Sequence, residues 1–358
     1  MGIFGAGIKR SALAASWLFA ASLGGAETIT IDNVPSPAPI SAAEPVRGHL
    51  SLESAARSLD TAALHWQKTR KCGTCHTNFA YLMARPALAS ISPPAPEVRG
   101  FIEEMVDVRW EKVGPRWDAE VVCAAVTLAM NDRRTSGKLH PTTRKALDRM
   151  LGLQRADGSW DWLKCGWPPM ESDDHYGVTF AALGIALAPE GYAETSPARK
   201  SLDAIRRYLR ERPAPSLHHR LMALWASQHV DGLLDEAEGR AVLDELWTRE
   251  LPGGGWAIAG LLDGWKEHKR QDDQAQELAK ADGYATGFAV YVARQVGVLA
   301  DDPRLARGVR WLRTQQRQSG RWFTRSPTAD NHHFISNAGT AFAVLALTAC
   351  GVGRSASL

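Results

Sequence analysis

Two cysteines and a histidine in the run Lys71-Cys72-Gly73-Thr74-Cys75-His76 carry the strongest chemical signal in the chain. Cys-x-x-Cys-His is the spacing at which two thiols add to the vinyl groups of one porphyrin while the adjacent imidazole becomes an axial ligand of the iron. The reading that follows is one covalently attached haem c, held by Cys72 and Cys75 with His76 as proximal iron ligand. A zinc site would need further ligands, and Cys123, Cys165 and Cys350 stand singly. A thioredoxin-like pair would follow a strand of a βαβ unit, and no such pattern precedes this one.

A second set of candidates stands just ahead of apolar helical runs: Asp173-Asp174-His175-Tyr176 and Asn331-His332-His333-Phe334, with Asp282-Gly283-Tyr284 as a third version lacking histidine. These residue types suit a site that moves protons around a reactive centre. His175 or His332 is a candidate distal iron ligand, and His333 a further proton carrier. Asp173 and Asp174 either assist proton transfer or cap the helix starting near His175. Tyr176 and Tyr284 either orient bound oxygen or substrate, or pack in the core. Met83, Met105 and Met130 are alternative axial ligands but suit core filling better. Arg321 and Arg325 match haem propionates, an anionic substrate or plain loop charge. His218 and His229 share a helix face about 16 Å apart and cannot both grip one small metal without a helix break, so in the grouping of His218, His219 and His229 at least one has a core or surface role.

The elements that must position these residues are helices. Residues 27–48 are proline-rich and extended; helices are predicted over about 50–70, 77–90 and 97–112, separated by Ser92-Pro93-Pro94-Ala95-Pro96. From Trp117 onward two kinds of helical segment alternate. Runs such as Phe180-Ala181-Ala182-Leu183-Gly184-Ile185-Ala186-Leu187 are apolar on most faces and belong to an inner layer, whereas segments near 141–154, 197–211, 237–250 and 303–317 keep charge on one face. Gln154-Arg155-Ala156-Asp157-Gly158-Ser159-Trp160 and Gln316-Arg317-Gln318-Ser319-Gly320-Arg321-Trp322 end two outer segments, and Leu251-Pro252-Gly253-Gly254-Gly255-Trp256 ends a third. Stacked helical hairpins follow, and their uneven spacing favours a closed ring over a uniform open solenoid.

At these Gln-x-x-x-Gly-x-Trp turns, over roughly residues 115–350, the chain resembles the squalene–hopene cyclase and prenyltransferase superfamily, whose domains are α/α toroids. The resemblance implies a ring whose inner helices begin around one mouth of a central cavity. Terpene cyclases of that family protonate an alkene or epoxide with Asp-x-Asp-Asp. Here Glu171-Ser172-Asp173-Asp174 retains the last two acidic positions and has glutamate at the first. No Asp, Cys and His zinc set of the prenyltransferase branch is carried over. The haem motif would mark a specialised haem-bearing branch.

Lys9 and Arg10 ahead of the apolar run Ala12–Leu23, with Gly24-Gly25-Ala26 behind it, read as an export signal over residues 1–26. Its removal takes the formal charge from +3 to +1, which gives no electrostatic case for nucleic acid, and no later segment is apolar enough to anchor in a membrane. The resulting expectation is an all-α protein: signal peptide 1–26, leader 27–48, helical haem-attachment segment 49–114, and α/α toroid 115–358. It would reside in the periplasm or otherwise outside the cytoplasm. Its function would be that of a mono-haem oxidoreductase of the oxidase, peroxidase or oxygenase class. It would use oxygen or peroxide on a small apolar substrate in the toroid cavity. The alternatives are electron transfer to a periplasmic partner protein and haem-based ligand sensing.

Overall fold

The computed structural model describes residues 28–265 and 268–353; the export signal expected over 1–26 lies outside the described residues. Helix α1 (Leu52–Arg70) is capped by Ser51, whose hydroxyl accepts from the Ser54 amide, and stops at Lys71 in the left-handed region. A widened turn over Cys75–Phe79 leads into α2 (Ala80–Ala84). Then follow α3 (Pro96–Glu104), α4 (Trp110–Val113), α5 (Asp118–Arg134), α6 (Pro141–Leu153), α7 (Asp174–Leu187) and α8 (Ser196–Glu211). The chain continues through α9 (Leu217–Ser227), α10 (Glu236–Thr248), α11 (Ile258–Leu261), α12 (Gly283–Gln295), α13 (Pro303–Thr314) and α14 (Ile335–Ala349). Isolated bridges, Val46 with Arg317 and Trp167 with Glu171, are the extended pairings found among the described residues. No described helix is long and apolar enough to cross a membrane.

The helices alternate between two layers. The inner ones are α2, α5, α7, α9, α12 and α14, and each packs on the next in that order. Helix α14 then packs back on α2, so the series closes on itself as a ring. Almost every residue of α7 from His175 to Leu187 is buried, as an element covered on all sides must be. The outer layer is α1, α3 with α4, α6, α8, α10 and α13. Helices α8 and α13 bury single stripes, such as Ala198, Ser201, Leu202, Ile205 and Tyr208, under solvated arginines.

The repeated turns explain why the ring closes. Trp160, Trp256 and Trp322 each donate their indole N–H to a carbonyl ten residues earlier, on Met150, Leu246 and Leu312, at 2.7–2.8 Å. Each turn glycine lies at positive φ, and a Cβ there would strike the backbone of the next outer helix: Gly158 at Ala204, Gly254 at Arg307 and Gly320 at Ser54. For Gly320 the next outer helix is α1. Gln316 completes the seam by accepting from the Ser51 amide (2.7 Å) and donating to the Ser51 carbonyl (2.8 Å), as Gln154 donates to the Ser201 carbonyl of α8 (3.3 Å).

This architecture is the expected all-helical α/α toroid, with a correction at its start. The segment 49–114, set apart by the sequence as a haem module, supplies the first outer and inner helices of the ring and, with α3 and α4, its second outer position. Arg85, fully buried, holds that portion together. It donates to Asp60 at 2.9 and 3.0 Å and to the Ser92 and Pro93 carbonyls, and Tyr81 adds a bond to the same carboxylate. The proline-rich leader is laid against the last turn, with the Arg47 amide donating to the Gln316 carbonyl at 2.7 Å and Arg321 to the Ala38 carbonyl at 2.8 Å.

Candidate functional site at the mouth of the ring

Asp173, Ser216 and Asp282 precede α7, α9 and α12, so the starts of three inner helices bring their neighbouring side chains to one mouth. Asp173 caps α7: its Oδ1 accepts from the Tyr176 amide at 3.1 Å. Its Oδ2 lies 3.2 Å from His219 Nε2, close enough for charge attraction although the ring is turned out of hydrogen-bond alignment. Burial pushes the Asp173 carboxyl up, but the contacts with His219 and the Tyr176 amide outweigh it and hold the group below the usual carboxylate range. On its other side, His219 Nδ1 is 2.8 Å from Ser216 Oγ. Ser216 thus serves the imidazole instead of capping α9.

His175 stands against this Ser216–His219–Asp173 chain, its ring centroid 5.5 Å from that of His219. The side chain is buried, and its Nδ1 has no hydrogen-bond partner. Burial, reinforced by His219, lowers its pKa to about 4, so the ring is neutral at pH 7. His218 is fully buried behind it, stacked on Phe288 at 4.6 Å, with Nε2 2.9 Å from the Tyr284 hydroxyl and Nδ1 unpartnered. Burial holds His218 well below the usual histidine range. Tyr176 packs among Trp162, Phe180 and His218, and burial raises its phenol well above the ordinary value.

Of the residues singled out in the sequence, Asp173, His175 and Tyr176 meet here. Asp174 faces outward and pairs with Lys164 at 2.9 Å. His332 is exposed and stacks on Phe334 at 5.2 Å, while His333 Nδ1 accepts from the Ser326 amide at 3.1 Å. His333 borders a cavity of about 1230 Å³ whose lining includes Asp282 but neither His175 nor His219. Burial pushes Asp282 up to about 6, but its oxygens accept from the Ala285 and Ile258 amides and the Thr324 hydroxyl, which makes it a cap binding three loops together. Arg325 pairs with Asp330 and Arg321 secures the leader. The sequence reading missed His218, His219 and Ser216. The signal was their place directly at an inner-helix start, the position that drew attention to His175.

Haem attachment is overturned by the same geometry. The Cys75 thiol turns into the seam between the first two inner helices, 3.6 Å from Cys123 Sγ, and so is not presented with Cys72 to one porphyrin edge. His76 is stacked on Phe334 (5.5 Å, 15°), meets Trp66 edge-on at 5.0 Å, and has Nδ1 2.9 Å from Thr77 Oγ1. The void beside it is about 20 Å³, room for about one water. Among the described residues no group of three His, Cys, Asp or Glu is arranged to hold a metal. The expectations of a covalent haem c, of His76 as proximal and His175 or His332 as distal iron ligand, and of haem-based oxidation, electron transfer or sensing are therefore withdrawn. Met83, Met105 and Met130 are buried core residues. Cys165 lies exposed in the mouth loop and Cys350 follows the far end of α14, so these two do not pair.

No family model matches the chain, and no curated protein matches it. Among solved structures it is similar to the type II terpene cyclase MstE from Scytonema in its apo form, with a TM-score of 0.49 and 11% identity over 84% of this chain and 99% of that one. It is also similar to an arginine variant of that cyclase in complex with geranylgeranyl dihydroxybenzoate, with a TM-score of 0.44 and 12% identity over the same shares. At this level of likeness no residue role is carried across.

Proposed function

We propose that the chain is an enzyme that moves protons on an apolar organic molecule admitted to the mouth of the ring. The observation that carries this reading is the unpartnered Nδ1 of His175, a buried neutral base beside an ionised carboxylate and a second imidazole. Buried polar atoms in folded proteins are satisfied with few exceptions, and titratable groups strongly shifted by burial and a charged neighbour cluster at functional sites.

In this mechanism His175 accepts a proton from the substrate, or returns one, from a position near the cluster's apolar side. Asp173, held in place by the Tyr176 amide and lying beside His219, supports the positive charge that develops on His175. Phe180, Phe288 and Phe342, all buried within the ring, keep water from the apolar side of the cluster. Trp162, Trp167 and Met170 of the loop ahead of α7 cover the mouth, with the Trp162 indole donating to the Met170 carbonyl at 2.7 Å. Substrate entry requires that loop to lift.

The test is hydrogen exchange at carbon. Unsaturated isoprenoid, sterol and fatty-acyl compounds incubated with the protein in D₂O are expected to acquire deuterium, read by mass spectrometry. His175→Gln and Asp173→Asn are expected to slow this by about 100-fold or more while leaving the helical circular dichroism intact. A wild-type protein that exchanges no compound of the panel, or a His175→Gln variant as fast as wild type, refutes the proposal.

A further inference from the structure

We infer that Cys75 and Cys123 form a disulfide that staples the first inner helix of the ring to the second. The two sulfurs, 48 residues apart in sequence, already touch at 3.6 Å, and a bond of about 2.05 Å asks for a closing of about 1.5 Å. Cys75 opens the widened turn leading into α2, and Cys123 lies on α5, fully covered. These helices are neighbours in the ring, yet the chain between them runs through the proline-rich segment 92–96 and the outer helices α3 and α4. A bond here would close that detour. No other thiol is placed to compete for Cys123: Cys165 is in the mouth loop, Cys350 is at the opposite end of α14, and Cys72 sits ahead of the turn.

The surroundings also set when the bond forms. Contact with Cys123, burial and the nearby Glu171 carboxylate all keep the Cys75 thiol protonated in the finished fold. A protonated, covered thiol exchanges slowly, so oxidation belongs to the stage at which α2 and α5 dock, while both sulfurs are within reach of an oxidant. The oxidant is a low-molecular-weight or protein disulfide. One Cys thiolate attacks it, releasing one thiol and leaving a mixed disulfide. The second Cys then displaces the remaining thiol. The chain loses two protons and two electrons, and the oxidant's disulfide takes them up to become two thiols.

The experiment uses the full chain, purified without reductant, alkylated with iodoacetamide and digested with trypsin. Arg85 precedes Pro86 and resists cleavage, so Cys72 and Cys75 fall in peptide 72–99 and Cys123 in peptide 117–133. The expected result is a linked species of these two peptides that persists in Cys72→Ser and disappears in Cys75→Ser and in Cys123→Ala. Reductant is expected to lower the unfolding midpoint of the wild type by several degrees and to leave that of Cys123→Ala unchanged. The inference is overturned if peptide 117–133 is recovered alkylated at Cys123 without prior reduction. It is equally overturned if peptide 72–99 carries an internal Cys72–Cys75 bridge, or if both of its cysteines bear another group.

Discussion

His175 and His219 show how one side chain acquires two possible meanings until its neighbours are known. Each stands at the start of an inner helix, but His219 has Ser216 Oγ on one nitrogen and the Asp173 carboxylate 3.2 Å from the other, whereas His175 Nδ1 has no hydrogen-bond partner. The contrast has a consequence for stability. The folded pKa of His175 is lowered to about 4 against an ordinary value of 6.5, so between these values the unfolded chain binds the proton that the folded one refuses. Its contribution is complete above pH 6.5 and is lost as pH falls towards 4, at about 1.4 kcal/mol per pH unit. Thermal unfolding followed from pH 7 to pH 4 should show a falling midpoint, and His175→Gln should flatten that slope by one proton's worth. His76, lowered to about 4 by burial, adds in the same direction, so the slope should be shallowed further in His76→Gln.

Turns and buried ion pairs decide whether single elements hold their places. Gly320 sits at φ 90° with Ser54 O 2.1 Å from where a Cβ would be, so Gly320→Ala must push the last turn away from α1. A loss of more than about 2 kcal/mol in denaturant unfolding is expected. Gly152, in α6, has open space at its Cβ position, and Gly152→Ala should stabilise by about 0.5–1 kcal/mol in the same assay. Arg85→Met presents a different case. It strips the buried Asp60 carboxylate of its charged partner and frees the Ser92 and Pro93 carbonyls, and should cost about 3–5 kcal/mol. Equal stabilities for Gly320→Ala and Gly152→Ala would contradict the close approach at the seam.

Closure of the ring makes residues 52–349 one cooperative object. Helix α14 rests on α2 and α12 together, and Gln316 joins the last turn to the first helix, so the first hairpin cannot melt without opening the wall next to it. Tryptophan fluorescence and far-ultraviolet circular dichroism are expected to report coincident unfolding curves. Two separated transitions, the first confined to residues 52–113, would show instead that this segment folds by itself.

Much of this architecture was legible along the chain because helical periodicity and turn chemistry are local. The apolar stretch Phe180–Leu187 has no solvent face to offer and must be an inner helix, and Gly158 and Gly320 two residues before tryptophan declare the turns. Asp173, His175 and Tyr176 were recognisable for the same reason, since a cap and its first turn are neighbours in sequence. What the tertiary structure alone decided were the partners that come from other helices. A five-residue stretch places Cys72, Cys75 and His76 within reach of one ligand, but the directions of Cys75 and His76 are set by α5, Phe334 and Trp66, which arrive from 10 to more than 250 residues away. The pairing of His219 with Asp173 likewise joins α9 to α7 across the mouth, a contact that exists only when the inner helices start at one level.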